Sequence, residues 1–461
     1  MKKERITMNT DRKTLKLILI VLSVILLANT VFPVLAEKEL PEYTLNDLYK
    51  AAIEQSNILA AGKEDVLIAR VEKHKSIADF IPDMYTLGSF RMYTESKKAM
   101  GTFTVQPNNL MNWGAGLGQS FSLGGREVFD LRMKSKNFQK SKIDFDTLNE
   151  NYLLDVANTY YDILKAKRLL NIAKDNLKRL EKHLDTAKIR YQVGEVTTTV
   201  VLRAEAEVSQ AKAELAKASN NLVIQRAKLV KLTGIESNAK IVESPYEVDN
   251  TQELPDLKEF ALKHRSELKS MELQNRIAKD MVRLTRSSFF PDLRLEGVYV
   301  GNKANPSTSF AIKHSMYGQV TLNFDIFHGG KRIAELREAK AKLRQSELME
   351  KDLIESVILQ VETAYYNSLT QRSVLAQIQD QYKLAQENYK HIEAQFKEGF
   401  ASNLDVVDAN NFLYSTEQKL ADAKNDYEIS HMIVKKVTGK LLTEIKEDLN
   451  PAKGETKNEK L

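Results

Sequence analysis

Two aspartates, Asp405 and Asp408, stand three residues apart just after Gly399, at the start of a helical stretch, so their carboxylates share one helical face. On the residues alone they read as helix-start acids, stabilised by the helix dipole, with Ser402 or Asn403 as the cap. Nothing beside them completes a catalytic set. There is no glycine-rich phosphate loop, no nucleophile elbow and no convergent acid–base group. The seven histidines have no ligand spacing and the chain has no cysteine, which argues against a structural metal. Neither a cofactor nor an enzymatic activity is expected. Two glycine turns carry the other candidates: Val193, Gly194 and Glu195 in one, Glu398, Gly399 and Phe400 in the other. Glycine suffices for chain reversal, yet Phe400 at such a tip has no local core to join, which suits contact with a partner.

The elements that hold these residues occur twice. A shift of 205 residues places Gly124–Gly125 on Gly329–Gly330, Tyr160–Tyr161 on Tyr365–Tyr366, Gly194 on Gly399 and Thr233–Gly234 on Thr438–Gly439, with no gap. So long a repeat means one structural unit used twice. Neither proline nor glycine falls between Gly125 and Gly194, or between Gly330 and Gly399, and a helix of that length reaches about 100 Å. The returning arm runs Val201, Ala204, Val208, Ala211, Leu215, Ala218, Leu222, Gln225, Leu229, Leu232 in alternating steps of 3 and 4. That is a coiled-coil seam, and each unit is a long antiparallel helical hairpin, residues 125–234 and 330–439.

The chain has 461 residues and a formal charge of +6. Residues 1–36 hold six Lys/Arg against two Asp/Glu, leaving +2 for the rest, too little to point to nucleic acid. That basic segment, the apolar run Leu17–Ala28 and Val34-Leu35-Ala36 read as an export signal over 1–36; an uncleaved anchor is the alternative. The first repeat then spans 37–234 and the second 256–439, joined by an irregular linker at 235–255. A charged, partly disordered tail follows at 440–461. Each repeat opens with one front helix, Leu45 to about Phe80 in the first, ended by Pro82-Asp83 and, in the second, by Pro291-Asp292.

After these prolines the period changes to 2. Strands are expected at about 84–94, 112–123, 293–300 and 315–326. Trp113, Ala115, Leu117, Gln119 and Phe121 share one face, and Asn112, Gly114, Gly116, Gly118 and Ser120 the other, as in a wall between lipid and water. Tyr85, Tyr93, Trp113, Phe121, Tyr299 and Phe324 are expected in aromatic membrane girdles. Four strands leave two open edges, which lipid does not tolerate, so several chains must share a barrel; three would supply twelve strands. The expected fold is mainly α, two coiled-coil repeats with a small membrane β part.

In this order the chain resembles the TolC family of outer-membrane efflux proteins. The carriers are the helix openings Tyr43-Thr44-Leu45 and Leu254-Pro255-Asp256-Leu257, the paired Pro-Asp strand starts, Gly-Gly-Arg126 and Gly-Gly-Lys331. To these add the turns Tyr191-Gln192-Val193-Gly194 and Gly399 to Ala409. The resemblance implies a homotrimeric channel in the outer membrane, continued by a periplasmic helical tunnel. Its tips would dock on a periplasmic adaptor and an inner-membrane pump or ABC transporter. It also implies that Asp405 and Asp408 ring the entrance. The family's polar entrance latch is missing, because Val200, Phe396 and Ala401 occupy its positions. A periplasm-spanning coiled-coil tether without channel activity is the competing function.

Overall fold

The computed structural model describes residues 41–243, 253–308 and 312–449. The expected export signal lies outside the described residues, as do positions 244–252 of the linker and 450–461 of the tail. The first repeat contains β1 (Glu42–Tyr43), α1 (Leu45–Gln55), α2 (Asn57–Ala78), β2 (Asp83–Met92), β3 (Lys97–Ala99), β4 (Phe103–Gln106) and β5 (Asn109–Ser122). It continues through α3 (Arg126–Gln192) and α4 (Thr198–Thr233). After β6 (Lys240–Ile241), the second repeat contains α5 (Leu254–His264), α6 (Ser266–Ser287), β7 (Asp292–Asn305), β8 (His314–Asn323), α7 (Lys331–Lys397) and α8 (Asn403–Thr438). A last helix, α9, spans Leu441–Leu449.

Both long helices, α3 and α7, have 67 residues, and both return arms have 36. The strand-rich half of the helical part is one row of four helices, α2, α3, α6 and α7 in that order; the far half is the row α4, α3, α8 and α7. The sheet repeats the arrangement, β2-β5-β7-β8, all antiparallel. Each layer therefore ends in two open flanks. Gly62 lets α2 approach α3, since a Cβ there would lie 2.6 Å from a methyl of Leu148.

The front helices are not continuous, contrary to expectation. The first breaks at Ser56, whose hydroxyl accepts from the Leu59 backbone at 3.2 Å, and the second breaks at Arg265. Each break meets the glycine that ends its own return arm. Gly234 packs on Gln55, and a Cβ on Gly439 would lie 3.4 Å from the Arg265 backbone. The short halves pack at the equator in two clusters, α5 with α7 and α8 around Leu257, Ala261, Val357 and Val361, and α1 with α3 and α4 in a larger belt. Leu48, Leu153, Val156, Ile163 and Leu229 are its buried centre, each contributing about 1.5–3 kcal/mol through lost apolar exposure.

The linker and tail also hold more structure than their composition announces. Lys240–Ile241 pairs in parallel with Glu42–Tyr43. α9 seals the belt through Leu441 and Ile445, and Lys446 reaches Asp146 at 2.9 Å. The polar connection between β2 and β5 carries the small β3–β4 hairpin.

Candidate pore entrance and membrane belt

The two hairpin tips are built alike. Gly194 and Gly399 take φ of 80° and 83°, where glycine is favoured. Glu195 donates its N–H to the Arg190 carbonyl at 2.9 Å, and Phe400 donates to Gln395 at 2.8 Å. Val193, Gly194, Glu195, Glu398, Gly399 and Phe400 are all exposed, with Phe400 85% accessible.

Beyond the second tip, Ser402 caps α8, and Asp405 completes a capping box. The Ser402 backbone N–H and hydroxyl donate to Asp405 Oδ2 at 2.8 and 2.7 Å. These bonds, the hydroxyl first, hold the Asp405 carboxyl below its usual range. Both end on one oxygen, so Oδ1 takes no part in the cap. Asp408 is exposed one turn on, while Val406, Val407 and Ala409 are buried on the opposite side. Helix-start stabilisation is thus realised at Asp405. Asn403, the other candidate cap, is used elsewhere.

Where the polar latch is missing, a different set of contacts ties the two hairpins together. Phe396 is buried between them, with the Arg190 guanidinium 4.3 Å from its ring centre and the His183 ring at 5.3 Å. Arg190 donates to the Phe396 carbonyl at 2.7 Å. Behind it His183 bonds Asn403 at 2.6 Å, and Arg179 grips Glu417 through two bonds of 2.9 and 3.2 Å. Arg179 also donates to Asn410, which in turn donates to Asn176, both at 2.9 Å and with both asparagines buried. Burial pushes the His183 imidazole down, favouring its neutral form. The signal for this ladder was present in the sequence. Asn176, Arg179, His183, Thr186 and Arg190 follow the same 3-4 rhythm as Leu177, Leu180, Leu184, Ala187 and Tyr191, displaced by one residue toward the N-terminus. Val200 and Ala401 are only half-buried.

The sheet has two chemically distinct faces, fixed by its register. Met84, Phe90, Met111, Trp113, Leu117, Phe121, Leu295, Tyr299, Met316 and Val320 share one face and are largely exposed. Ser89, Asn112, Arg294, Glu296, Gln319 and Thr321 share the other. On the apolar face Trp113 and Tyr299 meet edge to face at 5.8 Å near the end remote from the helices. Phe121 lies near the helical end of the same face, and Phe324 follows directly after β8 at that end. Trp113 and Phe121 are eight positions apart, about 26 Å along a strand and roughly 20 Å along the axis of a barrel with strands tilted by about 40°, a little less than an apolar membrane band.

Tyr85 departs from the expected girdle. It lies on the polar face, over Gly116, with its hydroxyl donating to Glu296 at 3.4 Å. Tyr93 follows the end of β2, and its hydroxyl accepts from Arg91, whose side chain belongs to that polar face. His314 is the residue the sequence reading passed over: its ring stacks near Tyr299 and its Nδ1 lies 3.2 Å from the Tyr299 hydroxyl. No helix among the described residues is long and apolar enough to cross a membrane, and no His, Asp or Glu cluster there could hold a metal ion.

A sheet apolar on one face and open at both edges, continuous with a row of long helices open at both flanks, is one sector of a closed channel. The chain belongs to the outer membrane efflux protein family, whose profile matches residues 48–235 and 257–440, the two repeats. It is 25% identical over 335 residues to outer membrane protein TolC of Escherichia coli K12, covering 70% of this chain and 67% of that protein. It is 24% identical over 329 residues to the cation efflux system protein CusC of the same strain, covering 66% and 69%. In fold it matches a membrane protein of Pseudomonas aeruginosa with a TM-score of 0.77, at 19% identity over 87% of this chain and 91% of that one. The protein is an outer-membrane efflux channel, a transport protein without enzymatic chemistry. Membership of the family implies a trimer that works with efflux partners.

Proposed function

We propose that three copies close edge to edge into one exit duct, with β8 of each chain pairing with β2 of the next and α7 packing against the neighbour's α2 and α4. The observation that carries this reading is the shared order of the layers: the sheet and both helix rows end in two open flanks at corresponding places. The exposed apolar residues fit it. Leu348, Leu359, Tyr366 and Leu369 line α7, while Ile58, Leu67 and Ile68 on α2 and Leu202, Val223 and Ile224 on α4 lie on the opposite flank. Closure puts the polar sheet face around the lumen and the apolar face in lipid.

In this reading the helical tips hang in the periplasm and the strand connections remote from them face outside. The exposed tips Val193–Glu195 and Glu398–Phe400 dock on a periplasmic adaptor that couples the duct to an inner-membrane pump or ABC transporter. Asp405 and Asp408 then contribute six carboxylates around the entrance, favouring cations. The arginine, histidine and asparagine ladder holds each second hairpin against the first.

Conductance of reconstituted channels in asymmetric salt tests the entrance. Asp405→Asn with Asp408→Asn should lower cation selectivity and weaken block by multivalent cations added from the helical side, with trimer mass unchanged. Selectivity and block equal to the parent would reduce both acids to helix-start residues.

A further inference from the structure

The apolar face of the sheet carries a single fixed charge. Of the β2, β5, β7 and β8 residues whose register places them there, Lys303 is the one Lys, Arg, Asp or Glu, and it sits near the end remote from the helices, paired with Met111. A lone cation on a lipid-facing strand is tolerated near the membrane interface, where its stem lies along apolar surface and its ammonium reaches the head groups. Next to Lys303 on the same face is a built aromatic platform. Gly301 pairs with Trp113 on one side and His314 on the other. The indole lies directly over that glycine, 2.5 Å from where a Cβ would be, so any larger residue at 301 would displace it. Trp113 and His314 are 5.9 Å apart, and Tyr299 closes the side toward the membrane centre, its hydroxyl engaging His314 Nδ1. Nε2 of His314 is the nitrogen left to meet a ligand.

The surrounding charge has the same sign. From 91 to 110 and from 301 to 314 the sequence holds Arg91, Lys97, Lys98, Lys303 and Lys313 against Glu95, and Glu95 already lies 3.6 Å from Lys97. The helical end of the sheet carries the opposite balance, with Asp79, Asp83, Glu127, Asp130, Asp292, Glu296 and Asp325 against Arg126, Arg294, Lys331 and Arg332. The repeat does not impose the platform. Matching Phe80–Asp83 with Phe289–Asp292 puts Thr94 at the counterpart of Lys303, and the 205-residue shift puts Asn109 at that of His314.

We propose that Trp113, Tyr299, His314 and Lys303 form a seat, one per protomer, for the phosphorylated sugar head group of an outer-leaflet glycolipid. A sugar ring presents C–H groups that stack on an exposed indole, and its phosphate gives Lys303 and His314 the anion that the protein face lacks. This rests on the orientation proposed above, with the strand connections outside. Edge-to-edge closure of the barrel leaves the seat facing lipid, because it uses backbone groups of β2 and β8.

Native mass spectrometry of the detergent-solubilised full-length channel tests the seat, with a bisphosphorylated diglucosamine lipid, its dephosphorylated form and phosphatidylglycerol as separate probes. The parent should retain up to three bisphosphorylated lipids per trimer. Lys303→Gln with His314→Gln should weaken retention at least tenfold, and Trp113→Leu should weaken it for the glycolipid while leaving phosphatidylglycerol unchanged. Equal retention by parent and double variant, or equal binding of phosphatidylglycerol or of the dephosphorylated lipid, would overturn the proposal. The protein mass in the same spectra reports the trimer independently, so loss of assembly is distinguishable from loss of the seat.

Discussion

α3 and α7 are the same length, begin after equivalent glycines and end at equivalent tips, yet they live in different surroundings. α3 has neighbours on both sides along its whole course and buries sixteen residues, whereas α7 is flanked on one side only and buries seven. Position in the row accounts for this, since α3 is packed on both flanks and α7 on one. In the proposed trimer an internal helix serves the stability of its own chain, while an end helix also serves the next chain. The exposed leucines of α7 are the residues that this closure would cover.

The sharpest break in this comparison comes from charge on the open flank. Leu359→Asp with Leu369→Asp on α7 should abolish the trimer, seen as loss of mass in detergent, while isolated chains keep their helix content by circular dichroism. Leu153→Ala on α3, at a site with no exposure, should instead cost about 2–5 kcal/mol of the chain's own stability. If the two variants fail in the same way, the internal and end helices are not different in kind.

Next in size is the link between the hairpins. Arg179 and Glu417 are both largely buried and doubly bonded, so Arg179→Ala should weaken the joint by about 3 kcal/mol and raise the conductance of the reconstituted channel. Lys182→Ala removes an ion pair whose lysine is 66% exposed and should do little, about 0.5 kcal/mol or less. A double-mutant cycle of Arg179 with Glu417 measures the coupling directly.

A third difference is sensitive to pH. Glu150 on α3 is buried near Glu267, Arg265 and Lys436, and burial, with the Glu267 charge adding to it, pushes its carboxyl up to about 7. A carboxyl raised in the folded state keeps a proton that the unfolded chain releases above its ordinary value of 4.5. Stability is therefore lost as pH rises from there through about 7. Glu150→Gln should remove that loss, being more stable than the parent at pH 8 by about 3 kcal/mol, seen as a higher melting temperature, and matching it in acid. A parent whose melting does not change over this range would contradict the shift.

The smallest effect compares the starts of the return arms. Ser402 bonds the Asp405 N–H, whereas Thr197, its counterpart, makes no side-chain cap bond. Ser402→Ala should destabilise the second tip by about 1 kcal/mol and Thr197→Ala by almost nothing, read as hydrogen exchange of the first turn of each arm.

What was legible in the sequence follows from period and punctuation. The uninterrupted runs after Gly125 and Gly330, the 3-4 seams and the period-2 stretches fixed the element types and, through the repeat, the architecture. Boundaries that depend on one local bond were less readable. The break at Ser56 rests on a single hydroxyl cap, and the one at Arg265 on tertiary contacts with Gly439 and Gln360. Tyr85 shows a different limit: an aromatic residue signals a strand, but only the register shows that it shares a face with Glu296. The ladder behind the entrance joins residues more than 200 positions apart, so no local pattern names the partners.

The two front-helix breaks have a mechanical meaning. At the equator α1 and α5 turn aside and α4 and α8 end, so among the described residues only α3 and α7 pass from one half to the other unbroken. Three chains would give six continuous rods, with the front helices broken at Ser56 and Arg265 and the return arms ended at glycine. Below the belt each rod extends alongside an arm of 36 residues, a lever of about 54 Å. A bend of about 5° at the equator therefore displaces the tip by roughly 5 Å. In the proposed ring, a small bend at the equator would move all six tips by several ångströms relative to the sheet.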